Sequence, residues 1–248
     1  MFYTNPNRRI VINSEIVEHD IKSGNTSMIK TYSLLPDDKI KKLEGLSKKD
    51  RVVAVGKEMR ADKEFSKNLE TSFNSTVEDF LKDNDLDKNY DVLSIKRDAV
   101  FVVNRKIIKP SYGEYIHFIP KNTYHAYLYL SPYEIYFGKD DIDVKGINDS
   151  VIHKHDNGIL SFLKDVISIA ESGNTKELNS YLAEFVDAYK KKELEIDMYR
   201  EFNNESQFRY RYASETMLCD EMDESMINGL DIGYNYINIV LPLIQLVC

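Results

Sequence analysis

Two aspartates in strand-like segments are the residues best suited to chemistry in this sequence. Asp20 closes the apolar segment 15–21, and Asp98 lies between the apolar runs 91–95 and 99–103. Mg²⁺ prefers hard carboxylate oxygens and keeps part of its water shell, so two well-placed aspartates can hold it. Paired ions of this kind activate a hydroxyl and neutralise a triphosphate, the chemistry of nucleotidyl transfer. The commoner role of an aspartate at a strand end is a turn or a helix cap.

The elements that must position these aspartates alternate between strands and helices. Residues 8–21 read as two short strands joined in a tight hairpin at Asn13-Ser14. Helical patterns and starting signals predict three helices, at 26–35, 37–46 and 57–83. Runs of β-branched and aromatic residues predict an antiparallel meander of strands, at 91–95, 99–103, 115–119, 125–130 and 133–137.

The pattern changes after Gly146, where residues 158–171 and 175–193 show helical spacing. We therefore expect an α+β protein with two parts. Residues 1–147 form a mixed part with a helical insertion at about 37–83, and residues 148–248 form a mainly helical part.

Residues 20–29, DIKSGNTSMI, resemble the first palm motif of family B DNA polymerases, D-x-x-S-L-Y-P-S-I-I. The aspartate, both serines and the final isoleucine coincide. Residues 95–102, IKRDAVFV, are similar to the motif G-D-T-D-S followed by an apolar strand, with Asp98 on its second aspartate. Downstream, residues 121–124 resemble the K-K-x-Y motif and residues 143–147 the D-x-K-G-I segment, so four motifs follow in the family's order over about residues 10–150.

The resemblance implies an antiparallel polymerase-type palm sheet packed by helices, with residues 37–83 as short fingers and 148–248 as a helical thumb. It implies a DNA polymerase-like nucleotidyltransferase of phage or mobile-element type. Asp20 and Asp98 would be catalytic and bind Mg²⁺ or Mn²⁺. Ser23 and Asn25 would contact the nucleotide, and Lys121 with Tyr124 would contact the primer–template duplex.

Several departures from the family pattern qualify these expectations. Lys96 stands where the second motif has its first aspartate, and Asn25 replaces the tyrosine that screens the ribose 2′-hydroxyl. A small polar residue there predicts weak discrimination between ribonucleotides and deoxyribonucleotides. We find no match to the family's fingers signature, and the chain starts almost directly at the first motif, without a proofreading exonuclease domain.

Basic residues are the candidate contacts for phosphate. Arg60, Lys63 and Lys67 are predicted to share one helix face that could hold a triphosphate, or to be a solvated basic face. The formal net charge of −8 excludes a protein that coats nucleic acid with its whole surface. We therefore expect a local basic groove, contributed by Lys121 together with Arg105, Lys109 and Lys145.

Other candidate sites have simpler alternatives. His153-Lys154-His155 could ligate a metal or form a surface turn, and the acidic run 140–143 could bind a cation or be a solvated turn. Alternating aromatic and basic residues at 208–212 could stack on single-stranded nucleic acid or form an edge strand. Cys219 and Cys248 show no metal spacing and fit a reducing compartment.

The apolar segment 237–248 is too short to span a bilayer, so we expect a buried segment or a contact surface, no membrane association and a cytoplasmic location, in the host if the protein is viral.

Two functional hypotheses remain open at the level of sequence. The first is an active enzyme, one part of a split replication enzyme with partner subunits; the intact pair of Asp20 and Asp98 favours it. The second is a catalytically silent palm derivative that acts as a replication accessory or a viral component. Lys96 favours this alternative, because a cation beside the site weakens metal binding.

Overall fold

The structure, a computed structural model, describes residues 2–205 and 207–247. In chain order the strands are β1 (Phe2–Thr4), β2 (Ile10–Val11), β3 (Ile16–Ile21), β4 (Val92–Lys96), β5 (Ala99–Val103), β6 (Ser111–Tyr112), β7 (Ile116–Tyr124), β8 (Ala126–Leu130), β9 (Tyr133–Phe137), β10 (Ile142–Lys145), β11 (Phe208–Tyr212) and β12 (Glu215–Cys219). The α-helices are α1 (Gly24–Thr31), α2 (Asp37–Glu44), α3 (Lys48–Ala61), α4 (Lys63–Asp83), α5 (Asp149–Ile152), α6 (Ile159–Glu171) and α7 (Thr175–Lys191), before a helical segment at Gly233–Asn235, Tyr236–Val240 and Leu241–Val247. Mixed α/β structure with antiparallel sheets was expected from the sequence and is observed.

Two units divide the chain. The first contains Met1–Arg8 and Ser14–Thr123, and the second contains Arg9–Asn13 and Tyr124–Cys248. The division therefore precedes the boundary expected at residue 147. The reason lies in strand pairing: β8 pairs with β2 and β9, and β9 pairs with β10, so these strands form a sheet of their own.

A six-stranded sheet is the centre of the first unit, in the order β1-β4-β5-β3-β7-β6. β4 and β5 form a tight hairpin, and β3 lies antiparallel beside β5 with Asp20 opposite Ala99. The strand of Asp20 therefore lies beside the 95–103 hairpin in one antiparallel sheet, as a metal site shared by Asp20 and Asp98 requires. Valine, isoleucine and phenylalanine dominate these strands because such side chains pack well on a pleated surface.

Helix α4 covers one face of this sheet. Its buried residues recur at helical spacing, and they pack in one core with Val100 and Val102 of β5: Phe65, Leu69, Phe73, Val77 and Phe80. The single helix predicted at 57–83 is wrong, because Asp62 interrupts it. The Asp62 side chain accepts hydrogen bonds from the backbone N–H groups of Glu64 and Phe65, and so begins a new helix.

The break between α3 and α4 shows that the predicted basic helix face is wrong. Arg60 lies on α3, whereas Lys63 and Lys67 lie on α4, so the three side chains do not share one helix face. All three are exposed. A change of helix axis between Arg60 and Lys63 removes the i, i+3, i+7 relationship on which the prediction rested.

The second unit has a four-stranded antiparallel sheet in the order β10-β9-β8-β2. Its core joins the sheet to α6 and α7 through aromatic contacts, such as the stacked rings of Phe162 and Phe185 at 3.7 Å. The hairpin predicted at 8–21 is wrong, since Ile10 and Val11 pair with Leu128 and Tyr127 of β8 rather than with β3. The expected helical part also contains the β11–β12 hairpin.

The sequence predicts that the apolar segment at the chain end is either buried or a contact surface. Gly233–Asn235, Tyr236–Val240 and Leu241–Val247 are helical, and the buried residues Ile239, Val240 and Leu243 join the second core. In the ranges that the structure describes, no helix combines the length and the apolar character needed to cross a membrane.

Candidate functional site

The sheet of the first unit brings Asp20 and Asp98 to one pocket of about 160 Å³. Asp98 lies in the two-residue turn of the β4–β5 hairpin, where Arg97 takes a left-handed conformation with φ of 60°. The carbonyl of Asp98 accepts a hydrogen bond from the Ile21 N–H at 2.9 Å, which ties the turn to the end of β3. Backbone pairing thus determines where both carboxylates lie.

The beginning of α1 forms another wall of this pocket. Ser23, Gly24, Asn25 and Thr26 line it, so both nucleotide-binding candidates of the first motif are beside the aspartates. A Cβ at Gly24 would lie 2.8 Å from Oδ2 of Asp98, so only glycine allows this approach. No side chain caps the helix. Its first N–H groups therefore face the pocket region without intrahelical partners.

Two cations that the sequence analysis missed complete the pocket. Lys48 and Arg51 line it from the first turns of α3, together with Val52 and Val55 of the same helix face. Ser47 caps this helix by accepting a hydrogen bond from the Asp50 N–H. The available signal was this Ser-x-x-Asp start, which begins a helix at Lys48, ahead of the one predicted at 57–83.

Neither Arg60 nor Lys63 nor Lys67, the predicted triphosphate contacts, lines this pocket. Lys96, which replaces an aspartate of the family motif, also lies elsewhere and donates a hydrogen bond to Thr4 at 3.4 Å. The positive charges that line the pocket are therefore those of Lys48 and Arg51 on α3.

Burial and a nearby acid destabilise the ionised form of each carboxylate, the acid being Asp20 for Asp98 and Glu18 for Asp20. Burial raises the pKa of Asp98, and the nearby Asp20 raises it further, against the opposing effects of Arg97 and Lys121. Burial likewise raises the pKa of Asp20, while Lys121 lowers it. A positive ion in the pocket would relieve both effects, because it favours the charged form of each group.

Lys121 is held by carboxylates rather than left free for a duplex. Its Nζ lies 3.2 Å from Oε1 of Glu18 and 3.5 Å from Oδ2 of Asp20. Glu18 and Asp20 lie two residues apart on β3 and so share a face of the strand. The Glu18 side chain is 3% exposed and the Lys121 side chain 50% exposed, so the ion pair joins a buried acid to a half-exposed base.

The remaining predicted DNA contacts also have carboxylate partners. In the first unit Arg105 lies 3.4 Å from Asp91, and Lys109 lies 2.6 Å from Asp83. In the second unit, Tyr124 and Lys145 both contact Asp143. Tyr124 is only 3% exposed, and burial of its ring leaves little surface for a duplex. None of these residues lines the Asp20–Asp98 pocket.

A divalent ion fits this donor set only with help from a substrate. Within residues 2–205 and 207–247, no group of three or more metal-binding side chains exists. Mg²⁺ is commonly held by one or two carboxylates together with water and substrate phosphates. Asp20 and Asp98 match that kind of site, and the crowded approach of Asp98 to Gly24 keeps the carboxylate in the pocket.

The other candidate sites have structural roles. His155 is buried, and its Nε2 donates to the Asn203 carbonyl at 3.1 Å. The acidic run 140–143 covers the turn before β10 and the start of that strand, where the Asp141 carbonyl accepts from the Gly138 N–H. The run 208–212 is a strand of the β11–β12 hairpin. Of the two cysteines, Cys219 is free, and Cys248 lies outside the described residues.

Comparison with known proteins identifies a phage family. Residues 1–248 match the protein family described as "Bacteriophage PBS1 gene 130 protein". No curated protein matches the chain. These findings support the expected phage origin and give no support to membership of the family B DNA polymerases. Because the match extends over both units, the chain belongs to the bacteriophage PBS1 gene 130 protein family.

Proposed function

We propose that this phage protein is a metal-dependent nucleotidyltransferase of palm type, in which Asp20 and Asp98 hold Mg²⁺ or Mn²⁺. One observation carries the proposal: two carboxylates from neighbouring strands share a pocket with Lys48 and Arg51. Paired acids with raised pKa values beside cations are typical of sites that bind a metal and a phosphate together.

Different residues of the pocket have different roles in the proposed nucleotidyl transfer. Lys48 and Arg51 bind the phosphate oxygens of a nucleoside triphosphate, and the first N–H groups of α1 provide further donors. Asn25 lies beside the sugar, where its small side chain leaves room for a 2′-hydroxyl. When bound, the metal supplies a lowered pKa for the attacking hydroxyl and charge neutralisation of the leaving group.

The finer proposal is that the protein is a DNA polymerase-like module and forms one part of a split replication enzyme. In the first unit, primer–template DNA would bind through Arg105, Lys109 and Lys121. In the second unit, the proposed DNA contacts are Tyr124 and Lys145. Each of these residues would first have to exchange a carboxylate contact for a phosphate. Binding should therefore be weak and strongly dependent on salt concentration.

A second candidate function is a catalytically silent protein that binds nucleotides or nucleic acid. The ion pair between Lys121 and Asp20 favours it, since a resident ammonium group competes with a metal for the same carboxylate. Under this alternative the protein acts as a replication accessory or a viral component, and the pocket binds phosphate without chemistry.

The direct test is Mn²⁺ binding measured by isothermal titration calorimetry. Asp98→Asn keeps the side-chain shape and removes one negative charge, so it should weaken Mn²⁺ binding at least tenfold, which corresponds to about 1.4 kcal/mol. Asp79→Asn is the matched control, because Asp79 is an exposed aspartate of α4 in the same unit. Equal binding by the wild type and Asp98→Asn would refute the metal assignment.

Catalysis is tested separately by primer extension with Mn²⁺ and each nucleotide type. The double variant Lys48→Glu/Arg51→Glu should lose incorporation, and Lys63→Glu/Lys67→Glu should retain it. Mn²⁺ binding without incorporation on any template would favour the silent alternative. Strong preference for deoxynucleotides in the wild type, unchanged in Asn25→Tyr, would show that Asn25 is not beside the sugar.

A further inference from the structure

A second, larger concavity in the first unit lies on the other face of β3. This groove has a volume of about 700 Å³ and shares no lining residue with the Asp20–Asp98 pocket. Glu15, Val17 and His19 line it, whereas Glu18 and Asp20 project to the opposite side of the strand and contact Lys121. One strand thus serves two separate concave surfaces.

The facing wall is an irregular segment that two asparagine side chains, the buried Asn84 and the exposed Asn104, hold in place. Residues 104–107 and Pro110 line the groove. The buried Asn84 accepts from the N–H groups of Ile108 and Lys109 and donates to the Lys109 carbonyl. Asn104 accepts from the Glu15 N–H at 2.8 Å. These bonds fix the segment before any ligand arrives, as is usual for small-molecule sites.

His19 is the residue that points to a ligand. It lines the groove, is 8% exposed, and its buried Nδ1 has no hydrogen-bond partner among the described residues. Burial lowers the pKa of His19, so the ring is neutral at neutral pH and offers one donor and one acceptor. A buried polar atom left without a partner destabilises the folded protein, because it has lost its hydrogen bonds to water. Such a cost is commonly retained where a ligand contributes the missing bond.

The groove combines apolar, positively charged and negatively charged side chains. Val17, Ile107 and Phe118 give it an apolar wall, and the Phe118 ring is itself fixed by stacking on Phe80 at 4.1 Å. Arg105 and the exposed Lys106 add positive charge on one side, and Glu15 adds a carboxylate. An apolar wall suits a flat ring, cations suit a phosphate, and a carboxylate accepts hydrogen bonds from hydroxyl groups.

We propose that this groove binds a nucleotide, with its base against Val17 and Ile107, a polar edge at His19 and its phosphate at Lys106 and Arg105. Small-molecule sites occupy roughly 300–1,000 Å³, so the groove is large enough for a mononucleotide. The groove is separate from the Asp20–Asp98 pocket, because the two surfaces have no lining residue in common, and Arg105 alone also belongs to the DNA contacts proposed above.

The test uses fluorescence anisotropy of N-methylanthraniloyl derivatives of AMP and GMP with the full chain, in EDTA so that no metal contributes. The wild type should bind at least one probe saturably. Lys106→Glu reverses an exposed charge and should weaken binding about tenfold. Val17→Trp should abolish binding by filling the groove, and His19→Phe should weaken it by removing both ring nitrogens.

Controls separate this site from the rest of the molecule. Lys176→Glu makes the same charge change at an exposed position of α7 in the second unit and should bind as the wild type does. Asp98→Asn should also bind normally, whatever its effect on Mn²⁺. The proposal is overturned if the wild type binds neither probe, or if Lys106→Glu and Val17→Trp both bind as tightly as the wild type.

Competition identifies the chemistry that is recognised. Unlabelled AMP or GMP should displace the probe at lower concentration than the matching nucleoside or inorganic phosphate, because only the nucleotide satisfies both the apolar wall and the cations. Displacement by a short acidic peptide with no displacement by nucleotides would reject a nucleotide site in favour of a peptide groove.

Discussion

Two asparagines, one in the core of the second unit and one in the Asp20–Asp98 pocket of the first, differ in how their side chains are bonded. In the second unit the Asn235 side chain accepts from the Phe202 N–H and donates to the carbonyls of Met198 and Arg200. In the first unit, Oδ1 of Asn25 and Nη2 of Arg97 are buried without a partner among the described residues. Protein interiors normally satisfy such atoms. The core around Asn235 therefore satisfies its own polar groups, whereas Asn25 leaves an acceptor for a ligand in the pocket.

Buried carboxylates show the same contrast. Burial raises the pKa of Glu201 in the second unit and of Asp98 in the first. The second-largest effect on the pKa differs between the two acids. Arg209, 3.5 Å from Glu201, lowers the pKa of Glu201, whereas Asp20 raises the pKa of Asp98. The second unit supplies its own counter-charge. The first places two like charges together, which leaves room for an external cation.

The largest expected difference concerns two asparagines. Asn235→Ala removes three hydrogen bonds and should lower the free energy of unfolding by about 3 kcal/mol, at roughly 1 kcal/mol for each bond. Asn25→Ala removes an Oδ1 that has no hydrogen-bond partner, so no donor loses its bond. The free energy of unfolding should therefore change by less than about 0.5 kcal/mol. Urea denaturation measures both. Similar losses in the two variants would remove the contrast between the units.

The second-largest expected effect is a loss of metal affinity on substitution of Gly24. Gly24→Ala places a Cβ 2.8 Å from Oδ2 of Asp98, so the carboxylate must move, and Mn²⁺ affinity should fall about tenfold. Gly56→Ala is the matched control on α3, since its Cβ would meet nothing within 4 Å. That control should keep the wild-type affinity and gain about 0.5–1 kcal/mol of stability. Calorimetric titration with equal results for both alanines would show that Asp98 is not a ligand.

Lys121 should have a smaller effect in the opposite direction. Lys121→Met keeps much of the side-chain volume and removes the charge that competes for Asp20, so Mn²⁺ should bind about three- to fivefold more tightly at low salt. Lys109→Met is the control, because Lys109 pairs with Asp83 away from the pocket. An unchanged or weaker affinity in Lys121→Met would mean that the ammonium group supports the site instead of competing with a metal.

The smallest expected effect is on thermal stability in EDTA. The pKa of Asp98 is higher in the folded than in the unfolded chain, so ionisation costs folding stability as the pH rises through the folded value. Asp98→Asn cannot ionise and should raise Tm at pH 7 by about 2 °C. The gain should vanish below the unfolded pKa of about 3.9. A lower Tm in the variant at pH 7, with Asp79→Asn unchanged, would contradict the raised pKa of Asp98.

Local pattern by itself determined several elements of this protein. The alternation and β-branched content of 91–95 and 99–103 predicted the hairpin β4–β5, and helical spacing from Phe65 to Phe80 predicted the buried face of α4. The pair Asp20 and Asp98 was also identified from the sequence, and both residues line one pocket. These features depend on interactions over a few residues or on one strand lying beside a hairpin. The spacing of apolar residues along the chain indicates such local structure.

Only the tertiary structure decided which charges meet. Lys121 finds Glu18 across 103 residues of sequence, and nothing near Lys121 in the chain indicates that partner. Lys48 and Arg51, rather than Lys63 and Lys67, line the pocket because Asp62 ends one helix and caps the next. β2 joins β8 rather than β3. Long-range pairing depends on how whole elements bury their apolar faces, and charged side chains then take whatever partners that packing brings within reach.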